Sequence, residues 1–212
     1  IHGFGDRELY AFDPEVLRIC RDYVRLRYRL LPYIYGSAFD CVERSLPMAR
    51  ALVLEFQDDP SVWNVGDQWL LGDGLLVAPI YDESGAREVY LPAGVWTDWW
   101  TGSRLEGRRW IHVDADLETL PLWVREGAII PMGPVMSHVG EFPVEEITLR
   151  VAPFEDDGES RFTVPVDDER IEVRYTAAGG RHRVAIGPSS VRFQVEELGA
   201  KGASRIEVTT LE

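Results

Sequence analysis

Leu26-Arg-Tyr-Arg-Leu-Leu-Pro-Tyr-Ile-Tyr35 reads as a helix with a proline inside it. Pro32 has no N–H to give and crowds the residue before it, so the helix ends or kinks at Leu31 and a second segment runs to about Glu43. Upstream, Asp13-Pro14-Glu15 is a helix start, with an N-cap carboxylate, proline at the first position and acid in the first turn. Val16, Cys20, Tyr23 and Val24 share one face of this helix, and Arg18, Arg21, Arg25 and Arg29 lie mostly elsewhere. Downstream, Ala49 to Phe56 is a near-continuous apolar run, as in a strand buried on both faces, closed by Asp58-Asp59-Pro60. A short helix is expected around Asp67 to Leu71 and another buried strand from Leu75 to Ile80. These few elements cannot cover their own apolar faces, so the chain reads as the back end of a larger protein.

From Tyr81 onward the pattern changes to short alternating runs separated by Gly, Pro and Asp. Glu88–Leu91, Val95–Trp100, Arg108–Val113, Leu122–Arg125 and Ala128–Pro131 are strand candidates. A second series follows at Ile147–Ala152, Arg161–Pro165, Ile171–Thr176, Arg181–Ile186, Val191–Glu196 and Arg205–Thr210, with Gly179-Gly180 as a hairpin turn. Many short strands at this spacing predict antiparallel β-sandwiches.

The 212 residues are 45% hydrophobic and 11% aromatic, which fits globular packing. With 36 acidic against 22 basic residues the net charge is −14, a surface that repels phosphate backbones and anionic lipid. No nucleic-acid and no membrane role is expected, and a neutral substrate suits this charge. All but one of the basic residues are arginine and Asn64 is the sole asparagine, a skew that points to a GC-rich bacterial genome. Cys20 and Cys41 have neither metal-ligand nor redox spacing and read as buried thiols in a reducing cytoplasm.

Three sets of residues could carry chemistry. Glu55, Asp58, Asp59, Asp67 and Asp73 crowd the buried run, where a carboxylate pair could serve acid/base hydrolysis. The plainer reading is a turn plus a partner for an arginine. His2, His112, His138 and His182 form no spaced pair with each other or with a cysteine, so no metal and no cofactor is expected. Trp96, Trp99, Trp100, Trp110 and Trp123 could offer ring faces to sugars, although tryptophan on alternating strand positions is more often packing.

The ordered motifs carry a resemblance. His2-Gly3, Arg7-Glu8, Phe12, Arg25 to Tyr35, Pro47-Met-Ala-Arg50, Glu55-Phe-Gln-Asp-Asp59 and Asp67-Gln68 are followed by Leu71-Gly-Asp-Gly-Leu-Leu-Val-Ala-Pro79. Tyr90-Leu-Pro-Ala-Gly-Val-Trp-Thr-Asp98, Thr101-Gly102 and Leu120-Pro-Leu-Trp-Val-Arg-Glu-Gly-Ala-Ile-Ile-Pro131 complete the series. From His2 to about Gly133 the chain resembles the C-terminal part of glycoside hydrolase family 31, the α-glucosidase and α-xylosidase family.

The resemblance implies an α+β fold class, with the last helix and strand elements of a (β/α)8 barrel followed by two antiparallel β-sandwich domains. The implied boundaries are 1–78 for the end of the barrel, 79–142 for a proximal sandwich and 143–212 for a distal one. Leu120 to Pro131 would close the proximal sandwich and Ile147-Thr-Leu-Arg-Val151 would open the distal one. Family members are retaining α-glycosidases with an aspartate nucleophile and an aspartate acid/base, both in motifs absent from these residues, so no catalytic residue is assigned. His2 alone matches an active-site position, as a substrate-binding residue that hydrogen-bonds sugar hydroxyls. The implied partners are the remainder of the same enzyme and a small carbohydrate substrate, with a homo-oligomer left open. Leu105-Glu-Gly-Arg-Arg-Trp-Ile111 leans toward α-xylosidase-like members. The rival reading is a non-catalytic carbohydrate-binding or structural β-sandwich module.

Overall fold

The structure, a computed structural model, describes residues 8–200, 202 and 204–211. The fold is mostly β-sheet with two α-helices. Helix α1 (Pro14–Arg29) starts as its sequence dictates: the Asp13 side chain accepts from Glu15 N at 2.8 Å and Pro14 opens the first turn. Helix α2 (Leu31–Arg44) follows after the single residue Leu30, with Pro32 in its first turn, where a missing N–H costs nothing. The interruption predicted from Pro32 is therefore present, and α2 stops at Ser45 in a left-handed C-cap.

Helix α2 is held by its small and aromatic residues. A Cβ at Gly36 would sit 2.5 Å from the Thr163 carbonyl, so the helix backbone lies directly against the strand that carries Thr163. Tyr33, 2% exposed, stacks on Phe162 with centroids 5.5 Å apart. Its hydroxyl donates to Leu71 O at 2.7 Å and accepts from Gly74 N at 3.0 Å, and burial pushes the phenol pKa far up.

A six-stranded antiparallel sheet has the order β1-β2-β3-β8-β5-β6, from β1 (Ala49–Ala51), β2 (Trp69–Leu71), β3 (Leu75–Val77), β8 (Leu122–Arg125), β5 (Val95–Asp98) and β6 (Arg104–Glu106). Alternation sends Leu75, Val77, Leu122 and Val124 to one face, against Leu30 and Tyr33. The opposite face carries Leu70, Leu76, Trp96 and Trp123 and is covered by a two-stranded ribbon of β4 (Ala86–Leu91) and β7 (Arg109–Asp114). Beyond it, a three-stranded sheet of β14 (Arg192–Glu197), β10 (Glu146–Val151) and β9 (Ile129–Met132) packs on a four-stranded sheet. The latter contains β11 (Gly158–Val166), β12 (Glu169–Ala178), β13 (Arg181–Ile186) and β15 (Ile206–Thr210), and Gly179 and Gly180, both at positive φ, make the predicted β12–β13 turn.

Several expectations are corrected. The run from Ala49 to Phe56 is not a parallel-type strand buried on both faces: only β1 is extended, it pairs antiparallel with β2, and Leu52–Leu54 turn into a one-turn 3-10 helix. The apolar run misleads because Arg50, inside it, is itself a core residue with 0% exposure. Asp67 to Leu71 is not helical. Gly72, at φ +60, turns β2 back as a hairpin with β3, and the Gln68 amide pairs with Tyr90 N and O like a strand residue. The second strand series is not wholly antiparallel, since β10 with β14 and β13 with β15 are parallel pairs. The expected boundaries at 78 and 142 stay expectations; hydrogen bonding crosses both, since β3 pairs with β8 and β9 pairs with β10.

Arg50 explains the local turn. Its guanidinium bonds both Glu55 and Asp73, so the segment 50–55 must fold back toward the β2–β3 turn. Arg44 reaches the same carboxylates from outside, at 2.6 Å from Asp73. We expect Arg50→Ala to cost on the order of 3 kcal/mol in urea unfolding, since it empties a core position and strands two carboxylates. Arg44→Ala, an exposed pair, should cost at most about 1 kcal/mol.

Helix α1 has no buried residue, and Val24 on its apolar face is 48% exposed. It is tied down by Tyr23, whose hydroxyl donates to Glu118 O and accepts from Leu120 N, and by the Arg18–Glu118 pair. So few buried contacts give low local stability. Amide hydrogen exchange of this chain should be fast through Pro14–Arg29 and slow in β12 and β13; equal protection of both would refute the reading.

Candidate functional site

His2, the one expected substrate-binding residue, lies outside the described residues. The carboxylates near β1 are present but do not assemble as a pair facing open space. Glu55 and Asp73 are both committed to Arg50 and Arg44, which is the structural alternative foreseen for Glu55. Asp67 pairs with Arg87 at 2.7 Å. Asp59 caps the 3-10 turn Pro60–Val62 through Ser61 N and accepts from the Tyr90 hydroxyl at 2.5 Å. The Tyr90 hydroxyl holds the Asp59 carboxyl below the ordinary carboxylate range. A retaining hydrolase needs two carboxyl groups flanking one bond about 5–5.5 Å apart, one of them protonated. Carboxylates held by arginines fill neither role.

The histidines are separate from one another. His112 sits on β7 with Nδ1 at 2.6 Å from Glu88, and this contact raises its pKa. His182 Nδ1 meets the Tyr175 hydroxyl at 2.7 Å, stacked ring on ring, and His138 is exposed. Among the described residues no group of three His, Cys, Asp or Glu side chains could hold a metal ion.

The tryptophans divide. Trp96, Trp99 and Trp123 are at most 5% exposed and belong to the cores, whereas Trp100 and Trp110 are exposed by 44% and 49%. Trp100 is tied by its indole N–H to Leu120 O and meets Tyr23 edge-on. Trp110 stands on the outer side of the ribbon, tilted against Tyr90 with centroids 5.2 Å apart. Sequence alone treats these five alike, because each lies in an alternating run. Only the pairing of β4 with β7 reveals which ring faces outward.

A groove of about 910 Å3 runs between α2, the Glu126-Gly127 turn and the β11–β12 hairpin. Asp40, Asp73, Asp156 and Glu172 line it, and the Arg170 guanidinium stacks over Phe39 at 4.1 Å across it. No sequence signal announces this groove, since its walls come from segments more than a hundred residues apart.

Comparison with known proteins places this architecture. The model of the glycosyl hydrolase family 31 TIM-barrel domain matches residues 1–37, and that of the family 31 C-terminal domain matches residues 45–130. Alpha-glucosidase 2 of Bacillus thermoamyloliquefaciens is 39% identical over 150 residues, covering 70% of this chain and 19% of the relative. The alpha-xylosidase of Saccharolobus solfataricus is 36% identical over 179 residues, covering 82% of this chain and 24% of the relative. In three dimensions, the family 31 α-xylosidase of Xanthomonas citri superposes with a TM-score of 0.80 and 30% identity, over 95% of this chain and 25% of that one. The Flavobacterium johnsoniae family 31 dextranase gives a TM-score of 0.76 and 34% identity, over 82% of this chain and 23% of that one. The chain thus spans about a fifth to a quarter of the length of these relatives. Two consecutive domain matches in family order, on a fold shared with solved members, make the chain a member of glycoside hydrolase family 31.

Proposed function

We propose that the chain is the C-terminal portion of a retaining α-glycosidase acting on α-xylosides or α-glucosides, and that it supports a catalytic centre whose two aspartates come from upstream residues. The observation that carries this reading is the 39% and 36% identity to an α-glucosidase and an α-xylosidase over most of this chain but a minor share of theirs. The engagement of Glu55, Asp59, Asp67 and Asp73 by arginines and a tyrosine supports it, because it leaves only the exposed Asp58 of that set without a partner among the described residues and so no carboxyl pair for acid/base chemistry. The relatives' two activities leave xylose and glucose as alternatives for the substrate.

In this reading the segment through α2 is the end of the (β/α)8 barrel, and two β-sandwiches follow. The six-stranded sheet joins strands from 49 to 125, which favours drawing the first boundary between α2 and β1 instead of at 78. The second sandwich corresponds to the sheets led by β10 and β11, with β9 as the shared seam. The exposed apolar residues of the helices, Val24, Tyr35 and Val42, are then the surface that the rest of the barrel covers. Unpaired Cys20 and Cys41 suit a reducing bacterial cytoplasm.

The 212-residue chain alone should release no nitrophenol from 4-nitrophenyl α-xyloside or α-glucoside above a buffer control. Turnover that disappears on Glu55→Gln or Asp58→Asn would instead make the local carboxylates catalytic.

In the complete enzyme His2 hydrogen-bonds hydroxyls of the sugar in the cleavage subsite, and such a bond strengthens as charge develops on the ring. His2→Ala should lower kcat/KM by about ten- to a hundredfold, the cost of one hydrogen bond with its partner left unpaired. An unchanged kcat/KM with a lowered Tm would assign His2 a purely structural role.

A further inference from the structure

The ribbon of β4 and β7 has two unlike sides. Val89, Ile111 and Val113 point into the core beneath it, while Glu88, Trp110, His112 and Asp114 point outward. Tyr90 lies on the outward side as well, but it is only 3% exposed because Trp110 leans over it and the Asp59–Val62 turn abuts it. Trp110 therefore presents one face of its ring to solvent on a rigid base. A single exposed indole is unremarkable on a protein surface, so its surroundings must carry the argument.

Three of those surroundings are unusual. Arg108, just ahead of Trp110, holds a left-handed backbone at φ +56, a conformation that disfavours a side chain. The neighbouring Gly107 has no room for a side chain, because a Cβ there would collide with the Pro92 carbonyl. Arg108 has no hydrogen bond or ion pair to another described residue, and its charge acts on both Asp59 and Tyr90. Asp59 is kept ionised, and its Oδ2 already accepts from the Tyr90 hydroxyl. On the other flank Glu88 and His112 hold each other at 2.6 Å and are each about three-fifths exposed. One exposed indole thus leans on a tyrosine bonded to the Asp59 carboxylate, on the same side of the ribbon as an exposed histidine–carboxylate pair and two residues after an unpaired arginine.

This combination matches a pyranose ring better than other partners. A sugar has an apolar C–H face that lies flat on an aromatic ring and a rim of hydroxyls that both donate and accept. Arg108 donates to such a rim, and Asp59 and Glu88 accept from it. Nucleic acid and anionic lipid are disfavoured by the net charge of −14.

We infer that the outer face of the β4–β7 ribbon is a saccharide-binding surface, with Trp110 as the platform and Arg108, Asp59 and the Glu88–His112 pair as hydroxyl contacts for a neutral oligosaccharide of aldopyranose units. The choice of a sugar ligand rests on the glycosidase reading above. The surface itself performs no bond cleavage. Its role is to hold a longer saccharide on the enzyme, so its affinity is weak, with a dissociation constant in the millimolar range.

The test is a titration of the 212-residue chain, labelled with nitrogen-15, with isomaltotriose and with maltotriose. The indole N–H signals are followed and the Trp110 signal is assigned by its disappearance in Trp110→Phe. The expected result is a saturable shift of the Trp110 signal with at least one of the two sugars. Trp110→Ala should weaken binding by about tenfold or more, as truncation of a central aromatic contact does. Arg108→Ala, which keeps the Cβ and so leaves the backbone strain at φ +56 unchanged, should weaken binding without loss of thermal stability, and so tests the site even if Trp110→Ala fails to fold. No saturable shift at tens of millimolar sugar, or a shift confined to Trp63 or Trp100, would overturn the inference. These outcomes are independent of glycosidase activity: a complete enzyme that cleaves α-glycosides while this chain binds neither sugar refutes the surface alone. A chain that binds sugar through Trp110 while the complete protein lacks glycosidase activity refutes the proposed activity alone.

Discussion

The contact of α2 with the sheets on either side of it is the constraint on which the remaining packing depends. Gly36 lets the helix backbone touch the carbonyl of Thr163 in β11, while one turn earlier Tyr33 reaches the β2–β3 hairpin with a hydroxyl that both donates and accepts. A larger residue at position 36 would lift the helix off β11. A phenylalanine at 33 would leave Leu71 O and Gly74 N without their buried partner, an expensive omission in a low-dielectric interior. Because the same ring stacks on Phe162, one side chain joins the helix, the six-stranded sheet and the four-stranded sheet.

Charge follows the same economy. Near β1 a fully buried arginine is neutralised by Glu55 and Asp73, and Arg44 closes the group from the solvent side. Such a cluster fixes where the segment after β1 must turn more than it adds net stability, since desolvating the guanidinium offsets much of the attraction. Its consequence for chemistry is negative: Glu55 and Asp73 are both held by arginines.

Much of the fold was legible in the sequence where a residue type has one physical meaning. Asp13-Pro14 and Pro32 set the helix boundaries, Gly179-Gly180 set a turn, and most strands from β4 onward fall within a residue or two of the alternating runs. The errors arose where meaning depends on a distant partner. Ala49 to Phe56 reads as one buried strand, yet Arg50 within it is a core residue around which the chain turns; Asp67 to Leu71 reads as a short helix, yet the Gln68 amide there pairs with β4 like a strand residue. The parallel pairing of β10 with β14 is set across some forty residues and leaves no local trace. For the site, the motifs were legible as a family resemblance, which both domain matches support. The exposure of Trp110, by contrast, could not be separated from the burial of Trp96 and Trp123 without the sheet.

The seam at β9 has an evolutionary consequence. Its strand neighbours one sheet through β10, while Ile130 and Met132 fill the core beneath α2. A recombination point placed anywhere between the end of α2 and Leu198 severs a hydrogen-bonded pair, because Leu198 N still reaches back to Val151 O and β13 waits for β15 beyond it. The helices and sheets are thus one hydrogen-bonded unit, and an exchange of segments with a relative that keeps α2 to β15 together leaves every one of these pairs intact.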